Sequence, residues 1–582
     1  AGINIFAQQD TVLRQEVEVV KAYRPSISDA FKINDIPKIN TEEHQKPSFN
    51  YNIFSQPVFS TFSVNPLQAA IITGKPKEDF GYGLIKLGAG NYGKPYADFY
   101  LNNNNSKNTL FGLHFKHLSS RGKIKLAGED KVKAPFSENV AEIFTKHYSK
   151  NAIIDFNVSY NRDGFNYYGY PIQPIPGQLL EEDQDINYFG TKQAFSKGAI
   201  NFSIQNNSRS SQATGLGLDA KYHYFGTKTG QKEHYAELMT HVKKPVNNIT
   251  AILDAGAVFY MVDSIYNTTL VEAGKRQEIW VKANPAVKLE NKKLSLKAGG
   301  KLYLVLDNDL DPVVRVAPDV LLNITPIEGI LNFFAGIDGK YEQNNYSKVA
   351  YENPFVNPKH DVKSSMHQYR FFGGFNGKFS SKANYTISAE YSSIKDQPFY
   401  FMEAYYYPDA STTVDPIITY NDFNVLYDDL GLTKINLEVY YTASEKLNLL
   451  LKGSYYSYNT NKQTEPWNMP AFDAKLSLDY QVTDQLNIST DVFVIGERNA
   501  LVIEWERYSN SLMPVPIEEN TKINKAYLMD MVIDLNVKGT YSITQNFSVF
   551  AQLNNFGFQS YERWLGYPVQ NFNFLGGISY SF

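Results

Sequence analysis

Apolar and polar residues alternate along the last twelve residues of the chain, N-F-N-F-L-G-G-I-S-Y-S-F, which end on an aromatic side chain. Phe572, Phe574, Ile578, Tyr580 and Phe582 share one parity, and asparagine, glycine and serine dominate the other. A period of two gives a β-strand one apolar face and one polar face. The pattern therefore predicts an amphipathic strand, whose apolar face lies against lipid or against a protein core.

The composition of the chain indicates that the apolar strand faces contact lipid. Aromatic residues make up 14% of the chain, with 42 Tyr and 38 Phe, yet the mean hydropathy is only −0.37. A membrane β-barrel has this signature, because its polar lumen offsets an apolar exterior and aromatic rings mark its rims. No run of 18 or more apolar residues predicts a membrane helix. A net charge of −4 gives no reason to expect nucleic-acid binding, and zero Cys excludes disulfides, thiolate metal sites and a Cys nucleophile.

The alternation recurs from Gly81 onward. In one example Ile435, Leu437, Val439 and Tyr441 lie opposite polar residues, and a short polar turn follows. Short polar turns alternate with longer loops between these segments, as they do in outer-membrane barrels. A soluble sandwich does not absorb so many strands in series, and a propeller or β-solenoid requires a fixed repeat that the sequence lacks. We predict an all-β fold: a transmembrane antiparallel β-barrel of about 22 strands, with a mostly extended N-terminal segment.

The strand count ranges from 22 to 24, because weak candidates centred near residues 402 and 425 are either two further strands or parts of one long loop. Charged residues occupy the polar face of many strands. In a barrel this face lines the lumen. The predicted lumen-facing residues are Asp155, Lys475, Asp479, Asp491, Asp534 and Lys538.

The last hairpin, residues 547–582, resembles the end of a TonB-dependent receptor barrel. The resemblance rests on Asn554-Asn555-Phe556, Tyr561, Gly566-Tyr567-Pro568, Gly576-Gly577 and the terminal Phe582. It implies an outer-membrane protein of a Gram-negative bacterium, surrounded by outer-membrane lipids. It also implies that Ile578, Tyr580 and Phe582 form a carboxy-terminal signature for the barrel-assembly machinery.

The amino-terminal part adds a second resemblance. The stretch Glu16, Val17, Glu18, Val19, Val20, Lys21 and Ala22 is similar to a TonB box, the segment that pairs as a strand with TonB. Residues 1–8 resemble the remnant of a signal peptide, residues 9–75 read as an extended Pro-containing segment, and residues 76–582 as the barrel. About 50 residues separate Ala22 from Gly81, so the resemblance implies a reduced or absent plug domain. The Tyr- and Asn-rich style suggests a Bacteroidota origin.

No motif selects a catalytic or metal site. No two of the nine His residues share a strand face at two-residue spacing, and no hydrolase, nucleotide or zinc motif occurs. We therefore predict no enzymatic activity and no cofactor, although an outer-membrane protease or phospholipase remains an alternative. The aromatic residues of the long loops are interpreted as a membrane-interface girdle rather than a stacking or partner surface. They include Tyr400, Phe401, the run from Tyr405 to Tyr407, Trp467, Trp505 and Trp564.

Three functions fit this fold. The first is receptor-type transport of a nutrient across the outer membrane, with residues 9–75 folding into the lumen. The second is a structural or assembly subunit that holds other outer-membrane proteins, which the short amino-terminal segment favours. The third is a passive porin. We expect transport, with the assembly subunit as the alternative.

Overall fold

The computed structural model describes residues 82–582 apart from 104–107, 127–130, 170–191, 208–212, 267–272, 308–310, 359, 361, 407–416, 420 and 507–520. In chain order the elements are β1 (Gly83–Gly90), β2 (Lys94–Asn102), β3 (Thr109–Ser120), β4 (Lys123–Lys125), β5 (Lys131–Lys133), β6 (Phe136–Tyr148), β7 (Ala152–Asn166), β8 (Lys192–Asn206), β9 (Gly215–Thr227), β10 (Lys232–Val246), β11 (Ile249–Tyr266), β12 (Ala273–Glu290), β13 (Leu294–Asp307), β14 (Val313–Ile327), β15 (Leu331–Glu342), α1 (Tyr346–Glu352), β16 (Ser365–Ser380), β17 (Ala383–Tyr406), β18 (Ile417–Thr419), β19 (Asn424–Ser444), β20 (Leu447–Thr460), β21 (Phe472–Gln481), β22 (Leu486–Ile495), β23 (Arg498–Glu506), β24 (Thr521–Met529), β25 (Val532–Ser542), β26 (Phe547–Asn554), β27 (Glu562–Trp564), β28 (Tyr567–Pro568) and β29 (Asn573–Ser581).

In this part of the chain, 22 strands form one antiparallel sheet that closes on itself. Each barrel strand pairs with the next barrel strand in sequence, and β1 closes the ring by pairing with β29 from Leu84↔Ser581 to Gly90↔Leu575. The short strands β4, β5, β18, β23, β24, β27 and β28 lie in the connections. The predicted all-β transmembrane barrel of about 22 strands is confirmed.

The weak candidates near residues 402 and 425 are neither separate strands nor a loop. They are the distal parts of β17 and β19, which span 24 and 21 residues. The two strands pair continuously except for a register shift between Ile394 and Gln397, where Asp396 has a positive φ of 55°. This bulge breaks the period-two alternation that predicts the strands, so each long strand has the pattern of two shorter ones.

Apolar side chains on the outer surface of the barrel share one parity in each strand. In β13 the side chains of Leu302, Leu304 and Leu306 are exposed, whereas the intervening Tyr303 and Val305 are each 6% exposed. Phe574, Ile578 and Tyr580 of β29 are exposed in the same way. The outer surface is therefore an apolar belt of the kind that faces lipid.

The two ends of the barrel differ. At the end that holds both Gly83 and Ser581, here called the turn end, the described strands are joined by connections of two to eight residues. At the opposite end, here called the loop end, connections reach 25 residues between β7 and β8 and 36 between β22 and β25. This asymmetry matches periplasmic turns and extracellular loops. None of the described helices is long and apolar enough to cross a membrane.

Candidate functional site: a cap built from the long loops

Long connections at the loop end pack together into one apolar core, here called the cap core. It includes residues from the connections that follow β3, β7, β15, β17, β22 and β26, so it draws on loops from around the whole ring. Some inward-facing residues at the strand ends join it. The cap core consists of Ile124, Leu126, Ala134, Tyr167, Tyr168, Phe195, Phe225, Tyr346, Val349, Ala350, Phe355, Val356, Val362, Tyr400, Met402, Ala404, Phe423, Val425, Ala500, Val502, Met529, Trp564, Leu565 and Tyr567.

Phe355 and Tyr567 form the best-packed pair of the cap core. Their ring centroids are 3.5 Å apart at an interplanar angle of 16°, and both side chains are almost completely buried. Tyr168 packs edge-on against Tyr567, at 5.1 Å and 71°. The Tyr567 hydroxyl also donates a hydrogen bond to the Asn421 carbonyl. Four loops distant in sequence therefore meet at this pair, since aromatic stacking adds to the burial of large apolar surface.

Helix α1 docks against the inner wall of the barrel. Asn345 caps its first turn, since its side-chain oxygen accepts from the Lys348 amide at 2.9 Å. The fully buried Glu233 carboxylate of β10 accepts from the Ser347 amide at 3.2 Å and from the Tyr260 hydroxyl at 3.1 Å. A buried charge requires such partners. The loop that carries α1 thus lies inside the ring of strands.

The hairpin β23–β24 extends the wall of the cap. Residues Phe401–Tyr406 of β17 pair in parallel with Leu501–Glu506 of β23. Beside this junction Phe399, Leu501 and Trp467 are buried in a second apolar cluster. The pairing joins the connection after β22 to β17, which lies four barrel strands before β22 in chain order. It explains why β17 continues far beyond the length that the membrane requires.

Two buried charged groups hold neighbouring loops. The Asp428 carboxylate accepts from the amides of Asn461, Lys462 and Gln463 at 3.1, 2.7 and 2.8 Å. The Arg498 guanidinium donates to two backbone carbonyls of β27 at 3.0 Å each. Burial lowers the pKa of Arg498 to about 10, so the side chain stays protonated at neutral pH. Both groups fix loop backbone rather than bind a ligand.

Asp422 is a buried carboxyl within the cap. Burial raises its pKa to about 7, and its own backbone amide opposes the shift by hydrogen bonding. The neighbouring Glu403 raises the pKa further. The neutral and ionised forms of this side chain are therefore both populated at neutral pH, whereas an exposed Asp is ionised.

The interpretation of the loop aromatic residues as a membrane girdle is wrong for four of them. Tyr400 and Trp564 are buried in the cap core, and Phe401 and Trp467 in the second cluster beside it. Local sequence resembles a girdle in either case, because only contacts between distant loops bury these rings. The side chains of Tyr405–Tyr407 and Trp505 lie outside the described residues.

A small cavity adjoins the cap core at Val349. This cavity of about 130 Å³ lies between α1 and the strands β15–β17, lined in part by Glu342, Lys348 and His367. Pockets for drug-sized ligands typically measure roughly 300–1,000 Å³. The Glu342 carboxylate contacts Lys340 Nζ at 2.6 Å and His367 Nε2 at 3.0 Å. Charges at this cavity are already paired, so it offers no ready site for a large solute.

Polar side chains on the face opposite the apolar belt form ion pairs between neighbouring strands. His241 lies between Asp219 and Asp254, with N–O distances of 2.8 and 2.7 Å. Arg370 donates two hydrogen bonds to Asp338, at 2.9 and 2.7 Å. Acidic and basic groups thus largely compensate one another along this wall. Within the described ranges, no group of three or more His, Asp and Glu side chains forms a metal site.

The predicted lumen-facing residues belong to this network in part. The six side chains come from β7, β21, β22 and β25. Their contacts are Asp155 with Lys146 at 3.3 Å, Lys475 with Asp491 at 3.1 Å, Asp479 with the Ser489 hydroxyl at 3.1 Å, and Asp534 with the Tyr561 hydroxyl at 2.8 Å. Lys538 is the register partner of Ser489. Five of the six lie on the adjoining strands β21, β22 and β25, whereas Asp155 lies apart on β7, and their role in a passage stays a prediction.

The predicted carboxy-terminal signature lies at the closing seam. The Tyr580 and Phe582 rings stack at 6.1 Å, and the Phe582 amide donates to the Gly83 carbonyl at 3.0 Å. Ile578 faces outward in β29. Its recognition by the assembly machinery stays a prediction. The TonB-box-like stretch and the proposed segments 1–8 and 9–75 lie outside the described residues.

Comparisons with known proteins agree with this geometry only at the level of fold. No protein-family model matches the chain, and no curated protein does. The pyoverdine outer-membrane receptor FpvA of Pseudomonas aeruginosa PAO1 aligns with a TM-score of 0.60 at 12% identity, over 86% of this chain and 78% of that one. The copper transporter OprC gives 0.60 at 11% identity, over 86% and 80%.

A third solved structure, the ferric-catecholate import receptor Fiu of E. coli K12, gives a TM-score of 0.58 at 10% identity, over 87% of this chain and 82% of that one. At such identities the likeness concerns the backbone architecture. It agrees with the closed ring of 22 strands and the long loops at one end. The chain has the barrel fold of the TonB-dependent receptors.

Proposed function

We propose that the protein is an outer-membrane barrel that takes up a nutrient by receptor-type transport. The observation that carries this proposal is a wide ring of 22 strands whose loop end is covered by the chain's own packed loops. Barrels of 16–22 strands enclose a channel or a plugged lumen, and an uncovered one leaks. A covered mouth lets a solute pass only when the loops move, as gated uptake requires. The similar structures carry the names of a receptor, a transporter and an import receptor.

The charged wall is the route in this proposal. Lys475, Asp479, Asp491, Asp534 and Lys538 line one part of it, on the adjoining strands β21, β22 and β25, and Asp155 lines another part, on β7. Paired charges keep the wall polar without a strong net field, which suits a polar solute.

Energy coupling would act through Glu16–Ala22. Pairing with TonB requires an extended backbone with free amides. Val17→Pro removes one amide and fixes φ, so it abolishes strand addition. Val17→Thr is the matched control, since threonine keeps both the amide and the β preference.

The experiment measures binding of the isolated TonB carboxy-terminal domain to the purified full chain. We expect the wild type and Val17→Thr to bind and Val17→Pro to lose binding. Equal binding by all three proteins, or none by any, would remove the basis for energy-coupled uptake.

A structural or assembly subunit is the second candidate, and the cap favours it. Its core buries apolar and aromatic residues from six connections, many of them with almost no exposed surface. A barrel that never opens needs no route for a solute, so a permanently packed cap is compatible with this function. This reading predicts stable copurification with other outer-membrane proteins and no TonB binding, so the same purified sample separates the two candidates.

A further inference from the structure

The hairpin β23–β24 continues two neighbouring strands of the barrel. Register partners of β22 and β25 end at Ile495↔Val532, and those of β23 and β24 begin at Arg498↔Met529. Both strands advance by the same number of residues between the two sets, so the pairing keeps its register across the gap. The four strands therefore form one two-stranded ribbon that starts in the barrel wall and continues into the cap. The part formed by β23 and β24 is here called the upper ribbon.

An interruption at the same level of both strands separates the upper ribbon from the barrel. It consists of residues 496–497 on one strand and 530–531 on the other, which lie outside the strands. The Met531 carbonyl accepts a hydrogen bond from the Gln559 side-chain amide at 2.9 Å, which ties this level to the neighbouring connection. Short segments at the ends of regular elements absorb the changes in φ and ψ when domains or loops rotate. The interruption has this form and is here called the hinge.

The sheet neighbours of the ribbon differ above and below the hinge. Below it, β21 pairs with β22 and β26 pairs with β25, so the ribbon is held at both edges. Above it, Leu501–Glu506 of β23 pair in parallel with Phe401–Tyr406 of β17, and in the described part of the chain β24 pairs with β23 alone. Parallel pairing is slightly less stable per residue than antiparallel pairing. This parallel pairing, here called the latch, joins the upper ribbon to the barrel at one edge.

The upper ribbon covers apolar surface on both of its faces. Ala500, Val502 and Met529 belong to the cap core, which also contains residues of α1. Leu501 and Ile503 on the other face lie in the second cluster. Each of these five side chains is at most 4% exposed. Burial of these side chains favours the closed position, and movement of the upper ribbon would uncover the cap core.

Helix α1 and the upper ribbon are held in different ways. The buried Glu233 carboxylate ties the first turn of α1 to β10 in the barrel wall. Two contacts of the upper ribbon with other loops lie at its hinge end: Arg498 donates to β27, and the Asn499 carbonyl accepts from the Asn468 amide at 2.7 Å. The latch and apolar burial hold its far end. The helix is therefore anchored in the wall, whereas the ribbon is anchored at a hinge.

We propose that the cap opens when the latch separates and the upper ribbon turns about the hinge. Each strand of the upper ribbon has nine residues and is ~30 Å long, so a small rotation at the hinge moves the far end by several ångströms. One hairpin then regulates passage, while α1 stays docked on the wall. The inference rests on the proposed function, because a cap that never opens has no moving part.

A disulfide across the latch tests this motion, and the chain has no Cys of its own. Met402→Cys with Val502→Cys joins register partners of β17 and β23. Adjacent strands lie ~4.8 Å apart, within the Cα separation of about 4.4–6.8 Å that a disulfide accepts. The control, Leu501→Cys with Ala526→Cys, joins β23 to β24 inside the upper ribbon and leaves the latch free. Phe401→Cys with Leu501→Cys cross-links the latch on its other face if the first pair does not fold.

Hydrogen exchange of α1 in the purified full chain is measured for each variant before and after reduction. The reporter is the amide of the fully buried Asn353, which donates to the Val349 carbonyl at 2.8 Å. Exchange follows the population of the open state when reclosing is fast. We expect the oxidised latch variant to exchange at least about tenfold more slowly than its own reduced form. The control variant should exchange at the same rate in both forms.

Two results would overturn the proposal. Equal exchange of the oxidised and reduced latch variants would mean that α1 becomes exposed without separation of the latch. Equal slowing by the control disulfide would mean that any cross-link in the hairpin stabilises the cap. The TonB-binding assay reports on Glu16–Ala22 and not on the cap, so a failure of energy-coupled uptake is separate from a failure of this mechanism.

Discussion

Removing the Phe355 ring should open the cap. Phe355 is fully buried, stacks on Tyr567 at 3.5 Å, and lies within 5.7–6.2 Å of the rings of Phe165, Tyr167 and Tyr168. Truncation of a buried Phe to Ala typically destabilises by about 3–5 kcal/mol. At 1.4 kcal/mol per tenfold, Phe355→Ala should raise the population of the open cap by roughly a hundred- to a few-thousand-fold.

The absence of Cys in the chain allows a direct assay. Ala350→Cys places one thiol in the cap core, where the wild-type side chain is 1% exposed. Maleimide labels it only when the cap opens, and under fast reclosing the labelling rate follows the open population. We expect Phe355→Ala to accelerate labelling of this thiol by at least about tenfold after partial collapse of the cavity is allowed for.

Two controls bracket this result. Phe379→Ala removes an aromatic ring that is 70% exposed at the turn end, and labelling should stay unchanged. Tyr567→Phe deletes only the hydroxyl that donates to Asn421, and should give a smaller acceleration, consistent with about 1–3 kcal/mol. The reasoning is refuted if Phe355→Ala labels at the wild-type rate while the chain remains a folded barrel.

Three further predictions concern single side chains. Burial raises the pKa of Asp422 from 3.8 to about 7, so the stability that this carboxyl contributes is full below about pH 4 and is lost as the pH rises through 7. Asp422→Asn should therefore increase hydrogen-exchange protection of the Phe423 amide at pH 8 but not at pH 4. Unchanged protection at pH 8 would contradict this. Asp428→Asn weakens an acceptor of three loop amides, so protease should cleave residues 461–471 faster, by a factor that reflects about 1–3 kcal/mol. A Cβ on Gly577 would overlap the backbone of β1, whereas one on Gly539 would meet no atom within 4 Å. Gly577→Ala should therefore destabilise the barrel by about 1–3 kcal/mol and lower the temperature at which the heat-modifiable gel band is lost. Gly539→Ala should leave that temperature unchanged.

The barrel itself follows from local sequence. Strict alternation in segments such as Ile435–Tyr441, together with short polar turns, predicts the strands and nearly their number, because each strand must present an apolar face to lipid. The bulge at Asp396 is where this logic fails. One residue in a positive-φ conformation shifts the parity, so one long strand reads as two.

The cap does not follow from local sequence. Phe355 and Tyr567 are 212 residues apart in the chain, and no periodicity connects them. The strand β23 was missed although Ala500–Ile503 is a continuous apolar run, the kind of signal that marks a strand buried on both faces. Aromatic residues in long loops have the same sequence signature whether they face lipid or a protein core, so only the folded loops separate the two.

Single-channel conductance in planar bilayers tests the central claim most directly, namely that the chain's own loops close the loop end of a 22-stranded barrel. The proteins to compare are the full chain, a chain without residues 9–75, Phe355→Ala, and the combination of both changes. The account predicts a closed full chain, a chain still closed after the deletion alone, and large openings when Phe355→Ala is added to the deletion. Large, steady conductance of the deleted chain with an intact cap would contradict it.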